Sequence, residues 1–170
     1  MSGIQYPIKR KSFQISYDLA LIDKMEGIEF ERYVGELFQK FDFKVVVTKK
    51  SRDFGCDIIL KKNGDRIAIQ TKRSQGKVSL RAVQEIVASL KKYDARVGVV
   101  ISNAKFTKSA RQLAKINDVV MINRNALLRL IDLSKMDKTR RNLGLSQKQV
   151  RITDSKLNLT GNNFSDLMSR

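Results

Sequence analysis

The chain has 170 residues, of which 34 are Lys or Arg and 17 are Asp or Glu, so its formal net charge is +17. This basic excess favours a polyanionic partner such as nucleic acid, although ribosomal and membrane-surface proteins share it. The sequence has no histidine and one cysteine, which excludes histidine-dependent triads, zinc fingers and intramolecular disulfides. Phosphodiester chemistry would therefore need carboxylates, amides, lysines and a hard cation bound through oxygen.

The hydrophobic pattern divides the chain into three regions. Residues 1–22 form a basic N-terminal extension, residues 23–133 carry nearly all the periodic patterns, and residues 134–170 form a polar, basic C-terminal extension. No segment is apolar enough for a membrane helix or a secretory signal, and Cys56 has no disulfide partner. We expect one globular domain in the cytoplasm, with no membrane partner and no small-molecule organic cofactor.

The first half of the central region predicts one helix and three strands. Apolar residues recur every three or four positions between 25 and 40, which is typical of an amphipathic helix. Three runs of strand-forming residues follow, at 43–48, 56–60 and 66–72. Asn63-Gly64 separates the last two runs and predicts a two-residue type I′ hairpin turn.

The second half predicts alternating helices and strands. Ser79 is the expected N-cap of a helix over 79–92, and Thr107 is the expected N-cap of the next helix. The continuous apolar run 97–102 is typical of a central strand covered on both faces. A strand at 118–122 and a closing helix at 125–131 complete the order αβββαβαβα. That order predicts an α/β fold with a mixed central sheet flanked by helices.

The predicted hairpin brings three polar residues to one face. A two-residue turn places Asp57 opposite Gln70, and strand alternation puts Lys72 on the same face. Oxygens of Asp57 and Gln70, together with the main-chain carbonyl of Thr71, would bind a hard cation such as Mg²⁺. Lys72 and the cation would offset charge that develops on a phosphate under attack by water. The alternative is that these residues are ordinary exposed positions of a hairpin.

Several segments, taken in order, resemble the Mrr-like restriction endonuclease catalytic domain. The resemblance covers residues 25–131, and the combination is specific although each piece alone would be weak. The segments are GIEFERYVGELF (27–38), FDFKVVVT (41–48), DFGCDIIL (53–60), IAIQTKR (67–73) and ISNAKFTKSA (101–110).

The resemblance implies a PD-(D/E)xK nuclease with an αβββαβ core. The family's metal-binding aspartate falls on Asp57, and its Q-x-K variant falls on Gln70 and Lys72. A helical glutamate, also present in the related archaeal Holliday junction resolvases, falls on Glu31 as a further catalytic and metal-binding residue. Two features depart from the pattern. Gln70 replaces the usual acidic ligand, and the chain has room only for short extensions instead of a separate DNA-recognition domain.

Basic residues in three predicted loops are candidates for contacts with DNA phosphates, the alternative being simple solvation. They are Lys49, Lys50 and Arg52 ahead of Asp57, Arg73, Lys77 and Arg81 after Lys72, and Lys105 and Lys108 after the central strand. Asp53 lies in the first of these loops, and we regard it as a weaker metal candidate than Asp57.

The sequence therefore predicts a Mg²⁺-dependent DNA endonuclease in which Mn²⁺ could substitute for Mg²⁺. It would be a restriction-type or a structure-specific enzyme, similar to a Holliday junction resolvase. Cutting both strands needs two centres, so we expect a homodimer, with apolar residues of 134–170 packing on the core or on the partner subunit. The alternatives are a catalytically silent DNA-binding or assembly subunit with the same fold, and an RNA-binding accessory protein.

Overall fold

A five-stranded sheet runs through the part of the chain that this computed structural model describes, residues 19–48 and 54–142. The strands are β1 Lys44–Val47, β2 Ile58–Lys62, β3 Asp65–Lys72, β4 Val97–Ser102 and β5 Val120–Ile122. Their spatial order follows the chain. β1, β2 and β3 are antiparallel neighbours, whereas β3, β4 and β5 run parallel. The predicted mixed sheet is therefore confirmed.

Helices connect and cover these strands. They are α1 Leu19–Lys24, α2 Gly27–Gln39, α3 Arg81–Tyr93, α4 Lys108–Ile116 and α5 Arg124–Asn142. α2 confirms the first predicted helix, α1 was not expected, and α5 extends well beyond the predicted closing helix at 125–131. No helix in these two described segments has the length and apolar character that crossing a lipid bilayer requires.

The β2–β3 hairpin has the predicted turn. Asn63 and Gly64 both have positive φ, 51° and 89°, as a type I′ turn requires. The pairing runs from Lys62 opposite Asp65 to Ile58 opposite Ile69, which is the register expected for a two-residue loop. This register fixes which side chains of β3 share a face, and so it determines the position of the polar residues at the strand's end.

The sheet has an apolar layer on each face. α2 and α5 pack on one face with Ile67 and Ile69 of β3, whereas α3 and α4 pack on the other face with Ala68. Because strand side chains alternate, Gln70 and Lys72 lie on the α3 face. All six residues of β4 are buried, which confirms the predicted central strand.

One predicted cap is confirmed and one is wrong. Thr107 caps α4, where its side-chain oxygen accepts a hydrogen bond from the main-chain nitrogen of Ala110. Ser79 does not cap α3, because that helix begins two residues later with Leu80 at its N-cap. The reason is tertiary: Val78 forms a parallel bridge with Phe106, and this bridge keeps the chain extended up to Ser79.

Candidate active site

Asp57 lies immediately before β2, at the end of the sheet where β3 finishes. One oxygen of its carboxylate, Oδ2, accepts three hydrogen bonds. The main-chain nitrogen of Thr71 donates at 2.7 Å, the Gln70 side-chain nitrogen at 2.8 Å and the Thr71 hydroxyl at 2.9 Å. These bonds fix the carboxylate against the end of β3, as the predicted hairpin register required.

The Gln70 side-chain amide lies next to Asp57, with its nitrogen toward the carboxylate and its oxygen toward Gly55. Gln70 is only 4% exposed, so it is not an ordinary exposed position of a hairpin. Nε2 donates to Asp57, but Oε1 is buried and has no hydrogen-bond partner among the described residues. A buried amide oxygen left unsatisfied costs about 1–3 kcal/mol. A cation beside Asp57 would remove that cost, since it would attract the amide oxygen in place of the amide nitrogen.

Lys72 completes the group through an ion pair that was not predicted from the sequence. Its Nζ lies 2.7 Å from Oε2 of Glu85 on α3, and Glu85 Oε1 lies 3.0 Å from Nε of Arg81. Burial alone would raise the pKa of Glu85, but the hydrogen bonds and positive charges of Lys72 and Arg81 outweigh it and lower that pKa. Glu85 is therefore charged at neutral pH and holds the Lys72 ammonium in the site.

Glu85 carried one weak signal in the sequence. It is the only acidic residue of α3, and it follows Arg81 by one helical turn. The approach of α3 to the end of β3 depends on Gly55, which has a positive φ of 86°. A Cβ added at Gly55 would lie 2.3 Å from Cβ of Glu85 and 2.8 Å from Oε1 of Gln70. Glycine at position 55 therefore lets the segment that precedes β2 pass between the Gln70 side-chain amide and α3.

These residues surround an open cleft of about 640 Å³. Asp57, Gln70 and Lys72 form one wall at the end of the sheet, and α3 forms the other. The α3 residues that line it are Arg81, Gln84, Glu85 and Ala88. We call this space the active-site cleft. Because the cleft is open and is lined by Lys72 and Arg81, it suits an extended anionic substrate better than a small enclosed ligand.

The donor atoms fit a hard divalent cation. No cluster of three or more His, Cys, Asp or Glu side chains with metal-binding geometry occurs in the described residues. Among the described residues that line the cleft, Asp57 has a carboxylate and Gln70 a neutral amide oxygen that such a cation accepts. Hard oxygen ligands of this kind are those that Mg²⁺ accepts while it retains several waters.

Other predicted residues are distributed around this centre. Glu31 is buried in α2, with 7% exposure, but α2 covers the face of the sheet opposite to Gln70 and Lys72. Of the predicted DNA contacts, Arg81 lines the active-site cleft and Lys108 is exposed at the start of α4. Three others line a second cleft nearby, and they are Arg73, Lys77 and Lys105. Lys49, Lys50, Arg52 and Asp53 lie outside the described residues.

The fold and the cleft together define a restriction-endonuclease-like nuclease domain. The sequence profile of the restriction endonuclease family Mrr_cat matches residues 22–131, which is more than half of the chain. The chain therefore belongs to this family, whose members are DNA endonucleases that generally use divalent metal ions. The resemblance predicted from the sequence is confirmed.

One solved structure shows the same fold at low sequence identity, and two others are similar to this chain. The DNA modification-dependent restriction endonuclease AspBHI is 16% identical, with a TM-score of 0.55 over 74% of this chain and 37% of AspBHI. The MspJI restriction endonuclease, solved with a 27-mer oligonucleotide, is 18% identical, with a TM-score of 0.46 over 77% of this chain and 36% of MspJI. This chain therefore spans little more than a third of either enzyme.

A third similar structure is a protein of unknown function, AF1548, which is 14% identical. Its TM-score is 0.49, and the match covers 69% of this chain and 88% of AF1548. The comparison with curated protein sequences gives no match.

Proposed function

We propose that this chain hydrolyses phosphodiester bonds in DNA at the active-site cleft, with Mg²⁺ as its cofactor and Mn²⁺ as a substitute. One observation carries the proposal: Asp57, Gln70 and Lys72 line one open cleft, and the Gln70 amide that donates to the Asp57 carboxylate has a buried oxygen with no hydrogen-bond partner among the described residues. Membership of the restriction endonuclease family supports the same reaction.

Asp57 and Gln70 would hold the cation, with the main-chain carbonyl of Thr71 as a further ligand. When bound, the cation would supply activation of water and neutralisation of charge on the phosphate. The hydrogen bonds from Thr71 keep the Asp57 carboxylate oriented before any ligand arrives, so little reorganisation is needed. Glu31 remains a proposed contributor from α2, as the family resemblance implies.

Lys72 would donate hydrogen bonds to a non-bridging oxygen of the scissile phosphate and offset the charge that builds up there. Glu85 acts on Lys72 and is a positioning residue. Its carboxylate, 2.7 Å from the ammonium, fixes the long lysine side chain. This arrangement supplies a second negative charge to a site where Gln70 stands in place of an acidic ligand.

We propose DNA as the substrate because of the net positive charge of the chain and its membership of the restriction endonuclease family. The net charge of +17 supplies a strong attraction to polyanions, and the cleft is open enough for a strand to cross it. Basic side chains at its rim, such as Arg81, would contact phosphates and set the position of the duplex. Restriction-type cleavage and cleavage of branched junctions both remain within this proposal.

The decisive experiment is a cleavage panel of linear, nicked, single-stranded and four-way DNA, with and without Mg²⁺. We expect cleavage of at least one DNA form that requires the metal, and loss of cleavage in Lys72→Ala. Lys44→Ala is the matched control, since Lys44 is an exposed lysine on β1 away from the cleft. Absence of cleavage by the wild-type chain with both Mg²⁺ and Mn²⁺ would refute the nuclease proposal.

A catalytically silent DNA-binding or assembly subunit is the second candidate. The observation that favours it is the Lys72–Glu85 ion pair, which leaves Lys72 less free to meet a phosphate. This candidate predicts salt-sensitive DNA binding without cleavage under any metal, so the same panel separates the two. For an active enzyme we also propose a homodimer, because the described residues of each chain form one such cleft and a duplex has two strands.

A further inference from the structure

A second cleft lies at the same end of the sheet as the active-site cleft, next to α1 and the start of α5. It has a volume of about 500 Å³ and is formed mainly by the chain segments that follow β3 and β4. Six of its residues matter here, and they are Asp23, Arg73, Lys77, Asn103, Lys105 and Arg124. The proposed cleavage reaction gives no individual role to Asp23, Asn103 or Arg124.

The base of the second cleft is tied together by charged and polar side chains. Arg124 binds both carboxylate oxygens of Asp23, at 2.6 and 2.8 Å. Asn103, only 4% exposed, donates to Asp23 at 2.9 Å and accepts a hydrogen bond from the main-chain nitrogen of Ser74 at 2.8 Å. The hydrogen bond from Arg124 is the main cause of a lowered pKa at Asp23. This network fixes α1, α5 and both loops relative to one another.

Three cations of the second cleft form no ion pair with a described residue. Arg73, Lys77 and Lys105 make no ion pair within the part of the chain that the structure describes, residues 19–48 and 54–142. Asp23 is the one carboxylate among the described residues that line the cleft, and Arg124 already neutralises it. Three like charges around a preformed cleft repel one another, so an anion bound between them would be favoured.

We propose that the second cleft binds phosphates of the DNA strand that leaves the active-site cleft. This inference rests on the proposed function, because it takes DNA as the ligand. Arg73 directly follows Lys72 in the chain, so a backbone crossing the end of β3 would pass from one cleft to the other. The chemistry recognised is a phosphate group, either an internal phosphodiester or a terminal phosphomonoester.

Salt dependence of DNA binding tests the proposal without any cleavage. The variant Arg73→Gln/Lys77→Gln/Lys105→Gln and the wild-type chain are titrated onto a labelled duplex without divalent metal, at several salt concentrations. Each lost phosphate contact should reduce the slope of log K against log salt by about 0.9, so we expect a reduction of about 2–3. Thermal unfolding checks that the variant is folded.

The matched control removes the same number of charges from the other end of the sheet. It is Lys44→Gln/Lys61→Gln/Lys115→Gln, since Lys44 pairs with Lys61 near the β2–β3 turn and Lys115 is in the last turn of α4. These lysines are exposed and are in no ion pair of the described residues. We expect the control to keep the wild-type slope.

Equal slopes of log K against log salt for the folded cleft variant and the wild-type chain would overturn the inference. A reduction of the slope in the control variant as large as that in the cleft variant would overturn it too. Either result would leave the proposed function standing if the wild-type chain cuts DNA. If instead the wild-type chain fails to cut DNA but the cleft variant has a reduced slope, the proposed function alone is refuted. Duplexes with and without a 5′ phosphate identify the source: a variant effect on both supports internal phosphates, and an effect confined to the phosphorylated duplex supports a terminal one.

Discussion

The Asp57→Asn variant tests the centre of the active-site cleft, because it removes a charge while keeping the side chain's size. The Asp57 carboxylate is the negative ligand in the set we propose for the cation. A bound metal ion typically supplies several kcal/mol of transition-state stabilisation. Losing about 3–4 kcal/mol of it would slow cleavage by about 10²–10³-fold, since each 1.36 kcal/mol corresponds to a factor of about ten.

The same variant should remain folded. Three donors contact Asp57 Oδ2, and hydrogen bonds to a charged acceptor are worth about 1 kcal/mol more than those to a neutral one. An asparagine oxygen can still accept from Thr71 and Gln70, and the site is partly open to water. We therefore expect a loss of about 1–2 kcal/mol in unfolding free energy, well below what a small domain needs to unfold.

The assay is cleavage of a labelled duplex at saturating Mg²⁺, together with calorimetric titration of Mn²⁺ and urea unfolding. Asp65→Asn is the control, since it makes the same change on β3 at the far end of the strand, where Asp65 lies 3.6 Å from Arg96. We expect Asp65→Asn to cleave and bind Mn²⁺ like the wild type. Wild-type cleavage by a folded Asp57→Asn protein would refute the assignment of this cleft.

Three other predictions concern the surroundings of this site. Glu85→Gln should be less stable than the wild type at neutral pH. Because the pKa of Glu85 is lowered in the folded protein, the difference should shrink as the pH falls through that pKa and the wild-type carboxylate becomes protonated; unfolding at several pH values measures this. The free energy of unfolding should fall by at least about 2 kcal/mol in Gly55→Ala and by about 1 kcal/mol in Gly64→Ala. Both glycines have positive φ, but an added Cβ meets other atoms only at Gly55, so equal losses in urea unfolding would contradict the crowding there. If the C-terminal extension forms the dimer, sedimentation should show a dimer for the full chain and a monomer for a chain that ends at Asn142, whereas identical masses would refute that role.

Local patterns predicted most of the architecture. Apolar spacing located α2, and the buried run 97–102 located β4. Asn63-Gly64 determined the hairpin register, because two positive-φ positions in a row allow few turn types. That register in turn placed Asp57 beside Gln70, and the structure confirms the contact at 2.8 Å.

Two failures of prediction concern the ends of helices. Ser79 has the chemistry of an N-cap, but the bridge between Val78 and Phe106 delays the start of α3. The closing helix was predicted too short because residues beyond 131 lack a strong apolar period, whereas the structure continues α5 to Asn142. Neither result follows from a short window of sequence.

The sequence by itself determined the family, the order of the elements from α2 onward and the pairing of Asp57 with Gln70, because these depend on motifs, periodicity and a turn between neighbouring strands. Only the tertiary structure decided that Glu85 meets Lys72 and that Asp23 meets Arg124, two pairs separated by 13 and 101 residues in the chain. Such pairs form where helices dock on the sheet. Docking is set by the packing of whole apolar faces, and no local pattern specifies which polar side chains it will bring together.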